Sequence, residues 1–143
     1  MELTDLYQEV LLDHYRRPRG AARLDHVPRE KTHENPTCGD AIKLEVLLDG
    51  GQRIEAVRFE AHGCAVSTAS ASMMSERLQG LTVEEARRTA GEFIRILRGE
   101  TDADELDSWG DLASLKGVIR LPVRVKCATL AWHALEDSLP KPV

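Results

Sequence analysis

One stretch of regular two-residue alternation limits what this chain can build. Ile42, Leu44, Val46 and Leu48 alternate with Lys43, Glu45 and Leu47, the period of a half-buried strand. Asp49–Gly50–Gly51 then offers a hairpin turn, and Val57, Phe59 and Ala61 resume the alternation against Arg58 and Glu60. Ile54 has the opposite parity, which predicts a bulge near Ala56. Beyond Gly63 the period becomes helical. Strands gathered in one place and helices elsewhere predict an α+β fold, a small antiparallel sheet with helices packed on one face.

The helices announce themselves unevenly. Leu6, Tyr7, Val10, Leu11 and His14 recur at helical spacing after Thr4, a candidate N-cap, and Pro18 should stop that helix near Arg17. Arg19 to Thr37 is polar, carries Pro28 and Pro36, and reads as an irregular connection with room for one short strand. After Gly63, Ala65, Ala69 and Met73, extended to Leu78, form a stripe in a segment crowded with Ala and Ser. Thr82 and Glu85 form a capping box for a helix whose apolar face is Val83, Ala86, Ala90, Phe93, Ile94 and Leu97, ending at Gly99. Thr101 to Ser114 is acidic and reads as a short helix or loop with a solvated face at Asp102, Asp104, Glu105 and Asp107. Pro122 opens a last helix with the stripe Cys127, Leu130, Ala131, Ala134 and Leu135. Trp132, His133, Met73 and Met74 read as packing residues.

At 143 residues the chain suits a single domain spanning 1–143, large enough to fold without disulfides. A net charge of −5 argues against nucleic acid, and Arg16, Arg17 and Arg19 are too few to track phosphates. The acidic opening Met1–Glu2–Leu3–Thr4–Asp5 is unlike a secretory signal, and no apolar run is long enough to span a membrane, so a cytoplasmic protein is expected.

In a reducing compartment an odd count of three cysteines favours metal binding or thiol chemistry over disulfides. Cys38 lies between Pro36 and Gly39, on a tight loop just before the hairpin. Cys64 falls between the returning strand and a helix, and Cys127 near the start of the last helix. Helix N-termini favour anions, and the thiolate is the form that binds metal or attacks sulfur. Asp40 lies two residues past Cys38, so an extended backbone would turn both toward one site. Three thiolates and a carboxylate suit a tetrahedral Zn²⁺ and leave it net negative, which Arg124 and Lys126 beside Cys127 could offset. Intervals of 25 and 62 residues between the cysteines, with no C-x-x-C, leave open that each is simply a small core residue. Asp40 could equally cap its own turn, and Arg124 could be merely solvated. His33 and His62, near the cysteines, read as edge residues. The zinc deaminase signature, a phosphate-cradling loop and a Rossmann fingerprint are absent.

The local sequences narrow these alternatives. Leu6–Tyr7, His14–Tyr15–Arg16–Arg17–Pro18–Arg19, Asn35–Pro36–Thr37–Cys38–Gly39–Asp40, Gly63–Cys64–Ala65 and Lys126–Cys127–Ala128–Thr129–Leu130–Ala131–Trp132 together resemble the IscU/NifU-like family of iron–sulfur assembly proteins. The resemblance covers nearly the whole chain. It implies an α+β fold, a metal site made by Cys38, Asp40, Cys64 and Cys127, and a cysteine desulfurase partner. Scaffold-type members carry histidine where this chain has Lys126, and Leu-Pro-Pro-Val-Lys where it has Leu121–Pro122–Val123–Arg124. The segment from Cys64 to Cys127 also looks longer than in those members. These departures resemble the SufU branch, for which the likeness implies a zinc-dependent sulfur acceptor served by a SufS-type desulfurase. A desulfurase histidine would there displace one thiolate and free Cys38 to take a persulfide sulfur. Downstream, a cluster scaffold or apo-proteins would receive it. The competing expectations are a scaffold for a [2Fe–2S] cluster at the same four residues, and a non-enzymatic zinc-stabilised binding module.

Overall fold

The structure, a computed structural model, describes residues 3–37 and 39–140, with side chains from Tyr7 onward. Helix α1 (Leu3–Arg16) leads through an irregular segment into β1 (His33–Asn35), β2 (Asp40–Leu48) and β3 (Ile54–His62). Helices α2 (Ala65–Leu78) and α3 (Val83–Leu97) follow, then 3₁₀ segments Ala103–Ser108 and Gly110–Arg120, and finally α4 (Pro122–Ser138). The three strands form one antiparallel sheet in the order β1-β2-β3, with α2 and α4 packed against it. The fold is α+β, as the segregated periods predict.

The hairpin register explains the parity break. Leu47 faces Ala56 but Leu48 faces Ile54, so one extra residue of β3 bulges out at the predicted place. Both Ile54 and Val57 are thereby buried despite their odd spacing. The outer edge of β3 is covered by the chain after α1: Ala22 donates its N–H to the Phe59 carbonyl, and Phe59 donates its own to Gly20. That cover protects a sheet edge from other strands, and it buries Leu24 with it.

The core sits between sheet and helices. Phe93 of α3 stacks on Trp132 of α4 at 4.3 Å between ring centres, and the indole donates to Ser70 of α2 at 3.0 Å. The capping box at Thr82 and Glu85 is formed in both directions. Met73 and Met74 are buried. The acidic segment differs from a simple solvated loop. Its two 3₁₀ segments bury Leu106, Trp109, Leu112 and Leu115, while Asp104 and Asp107 bind Lys116.

Candidate metal centre

The β1–β2 register builds the first part of the site. Asn35 pairs with Asp40, so residues 36–39 form a four-residue connection. Gly39 closes it at φ +73°, a left-handed geometry that glycine adopts without a side-chain penalty. Asn35 organises the connection: its side-chain oxygen accepts the Thr37 N–H at 3.2 Å, and its carbonyl accepts the Gly39 N–H at 2.9 Å. Its side-chain nitrogen points across the gap to Cys127 Sγ at 4.0 Å. Cys38, expected as ligand and sulfur acceptor, lies in this connection but outside the described residues.

The β2–β3 register builds the second part. Ala41 pairs with His62, so the chain leaves the sheet beside Asp40 and enters α2 with Cys64 as its N-cap residue. Asp40 is 2% exposed and takes the Cys64 N–H at 2.8 Å through Oδ1, while Oδ2 lies 3.6 Å from Cys64 Sγ. Asp40 therefore faces the start of α2. The approach depends on Gly63, where a Cβ would lie 2.1 Å from Asp40 Oδ1. Ser67, one turn into α2, bonds the Cys64 carbonyl at 3.1 Å with its hydroxyl 3.7 Å from the sulfur.

Helix α4 supplies the third part. Pro122 occupies its first turn, where a missing N–H costs nothing, and Cys127 follows fully buried. The ligand atoms of Asp40, Cys64 and Cys127 all lie within 4.8 Å of one another. Donors around a tetrahedral zinc with bonds of about 2.0–2.3 Å stand roughly 3.3–3.8 Å apart, so the three would need to draw in by at most about 1.5 Å. Two sulfurs and a carboxylate are a donor set suited to that ion, and the residues fit it.

Arg124 and Lys126 part company. Arg124, one turn before Cys127, is exposed, and its guanidinium is held above its ordinary pKa by the Cys64 thiolate first and the Cys127 thiolate second. Lys126 instead lines a neighbouring groove of about 580 Å³ with Pro36, Thr37, Arg98 and His133. His33 pairs with Asp137, and His62 is exposed beside Glu60. Asn35 and Ser67 join the site without a strong mark in the sequence. The first was visible as the residue before Pro36; nothing local marks the second.

This arrangement can be set against known proteins. The model for the NifU-like N-terminal domain matches residues 6–128. The chain belongs to that family. A Bacillus subtilis relative named zinc-dependent sulfurtransferase SufU is 41% identical over 97% of this chain and 92% of its own. A Streptococcus pyogenes relative named iron–sulfur cluster assembly scaffold protein IscU is 39% identical over 98% of this chain and 86% of its own. Among solved structures, a Fervidobacterium islandicum protein described as a candidate cluster assembly scaffold for the SUF system superposes with a TM-score of 0.75. It is 31% identical, with 97% of this chain and all of the other covered. The chain is thus a NifU-like member of the iron–sulfur assembly group, in which both SufU-named and IscU-named proteins are found. No helix among the described residues is long and apolar enough to cross a membrane.

Proposed function

We propose that this protein is a zinc-dependent sulfur carrier in iron–sulfur cluster assembly, with Cys38, Asp40, Cys64 and Cys127 as ligands and Cys38 as the sulfur acceptor. The supporting observation is the convergence of Asp40, Cys64 and Cys127 in a chain 41% identical to a protein named as a zinc-dependent sulfurtransferase. Including Cys38 draws support from its chain neighbours, because Asn35 holds both Thr37 and Gly39 and also faces Cys127. Bound zinc would keep the thiols ionised and contribute no redox chemistry of its own.

The donor is a cysteine desulfurase of the SufS type carrying a persulfide. The Cys38 thiolate attacks the outer sulfur, the donor's sulfur–sulfur bond breaks, and the donor cysteine leaves as a thiolate. Cys38 then holds the persulfide for a downstream scaffold or apo-protein, with no net oxidation. Arg124 offsets the negative charge at Cys64 and Cys127, Asn35 fixes the loop, and Ser67 steadies Cys64.

The native chain should raise desulfurase turnover and gain one sulfur atom by mass spectrometry, and Cys38→Ser should do neither. Normal sulfur acceptance by that variant would sink the reading. The second reading, a [2Fe–2S] scaffold, draws on the relative named IscU. Protein purified without oxygen decides between them. About one zinc and no acid-labile sulfide per chain supports the carrier, whereas iron with matching sulfide supports the scaffold. A closed structural zinc would instead be lost only with the fold.

A further inference from the structure

A second cluster of side chains of metal-ligating type, His14, Glu76 and Asp111, lies well along α2 from Cys64. Ser72 and Glu76 stand 8 and 12 residues beyond Cys64 on α2. At the helical rise this separates Glu76 from Cys64 by roughly 18 Å along the axis. There His14 of α1, fully buried, turns Nε2 toward Asp111 Oδ2 at 2.8 Å and Glu76 Oε1 at 3.5 Å. The three ligand atoms lie within 4.8 Å of one another, while both carboxylates are about half exposed.

Three features exceed what a structural hydrogen bond needs. A neutral His14 requires one acceptor at Nε2, and Asp111 already provides it, so Glu76 is surplus to that bond. Two carboxylates beside one nitrogen also repel each other unless a cation lies between or beside them. The cation that the chain itself supplies is Arg19, whose Nε is 3.8 Å from Glu76 but whose main contact is Asp13 at 2.7 Å. Its Nη1 is buried without a hydrogen-bond partner. The other face of the ring is braced in the manner of a metal ligand: Nδ1 lies 2.6 Å from Ser72 Oγ, which also accepts the Arg19 N–H at 2.8 Å. A histidine that binds metal through one nitrogen ordinarily has the other fixed by such a hydrogen bond.

We propose that His14, Glu76 and Asp111 form a second, open site for a divalent transition cation. One nitrogen and two oxygens suit Mn²⁺, Fe²⁺ or Zn²⁺, and the exposure of the carboxylates leaves positions for exchangeable ligands. The cation would join α1, α2 and the second 3₁₀ segment, since each contributes one ligand. It holds no thiolate, so it differs in kind from the cysteine centre.

Mn²⁺ is the probe of choice because it favours oxygen and imidazole and does not compete for thiolates. Titrating the full chain loaded with a single equivalent of zinc, which the thiolates take first, and following the loss of the free Mn²⁺ electron paramagnetic resonance signal should show one saturable Mn²⁺ ion per chain. The double substitution of Glu76→Gln and Asp111→Asn, both at exposed positions, should weaken binding at least tenfold with the thermal midpoint little changed. Cys64→Ser should leave Mn²⁺ binding intact, which separates this site from the sulfur-carrier reading. Spin-echo modulation from one imidazole nitrogen should appear in the native complex. No saturable binding, or the same affinity in the double variant, would overturn the proposal.

Discussion

Helices α3 and α4 stack on each other through Phe93 and Trp132, yet their first turns follow opposite rules. Helix α3 begins with a Thr82 cap, a complete capping box, and Glu84 and Glu85 in its first turn. Every one of these answers the unpaired N–H groups and positive dipole of a helix start. Helix α4 begins with Leu121, which makes no side-chain cap, and has no acid in its first turn. It places Arg124 there instead, against the dipole, and leaves Leu121 and Val123 half exposed. Helix α2 resembles α4, since Cys64 makes no side-chain cap and its first turn lacks acids. The acid that meets its start is Asp40, from another strand. The helix with no cysteine spends its N-terminus on its own stability. The two that present cysteines lack such caps, and local rule-breaking of this kind is where function is expected.

The sharpest test reverses the charge at the unorthodox end. Arg124→Glu should weaken zinc retention by about 10–100-fold in chelator competition, the range seen when supporting groups of a metal site are lost. An unchanged affinity would reduce Arg124 to a solvated side chain. At the orthodox end, Thr82→Ala should cost about 1 kcal/mol in a denaturation experiment and leave sulfur acceptance unchanged. Giving α4 the cap it lacks should erase the contrast. Leu121→Asp should stabilise the fold by about 0.5–1 kcal/mol while releasing zinc more readily, because a new anion then competes for the same dipole. A gain in both properties would break the comparison.

The smallest effect concerns acid. Glu85 has its carboxyl held below its ordinary pKa, chiefly because it accepts the Thr82 backbone N–H. A lowered folded-state pKa adds stability that is present above the unfolded value of about 4.3 and is lost as pH falls through the folded value. Glu85→Gln should therefore flatten the acid side of the stability curve below about pH 4.5, read as thermal midpoint against pH.

These contrasts also explain what could be read in advance. The hairpin, its bulge and α3 were legible because Ile54, Val57 and the Thr82–Glu85 pair carry local signals that tertiary packing did not override. Residues 103–120 were not, because 3₁₀ turns lack the apolar period of an α-helix and their buried Leu106, Leu112 and Leu115 sit among acids. His14 read as one more residue on a helical stripe; that it is buried against Ser72 and Asp111 depends on contacts 58 and 97 residues away. Asp40 and Cys64 could be brought together from strand pairing alone, since a hairpin returns its ends to one place. Cys127 could not, because only the packing of α4 on the sheet sets its distance, and the family motifs stood in for that information. Lys126, one residue from Cys127, lines the neighbouring groove, a placement that sequence adjacency could not give.

Gly63 has a consequence for inheritance. Any mutation at that codon that brings in a side chain sets a Cβ 2.1 Å from Asp40 Oδ1, so the carboxylate must leave the place where it meets Cys64. Positions 40 and 63 are therefore not free to drift one at a time. A lineage that lost the glycine would be expected to have lost the aspartate too, and such paired loss would mark descendants that had abandoned this chemistry.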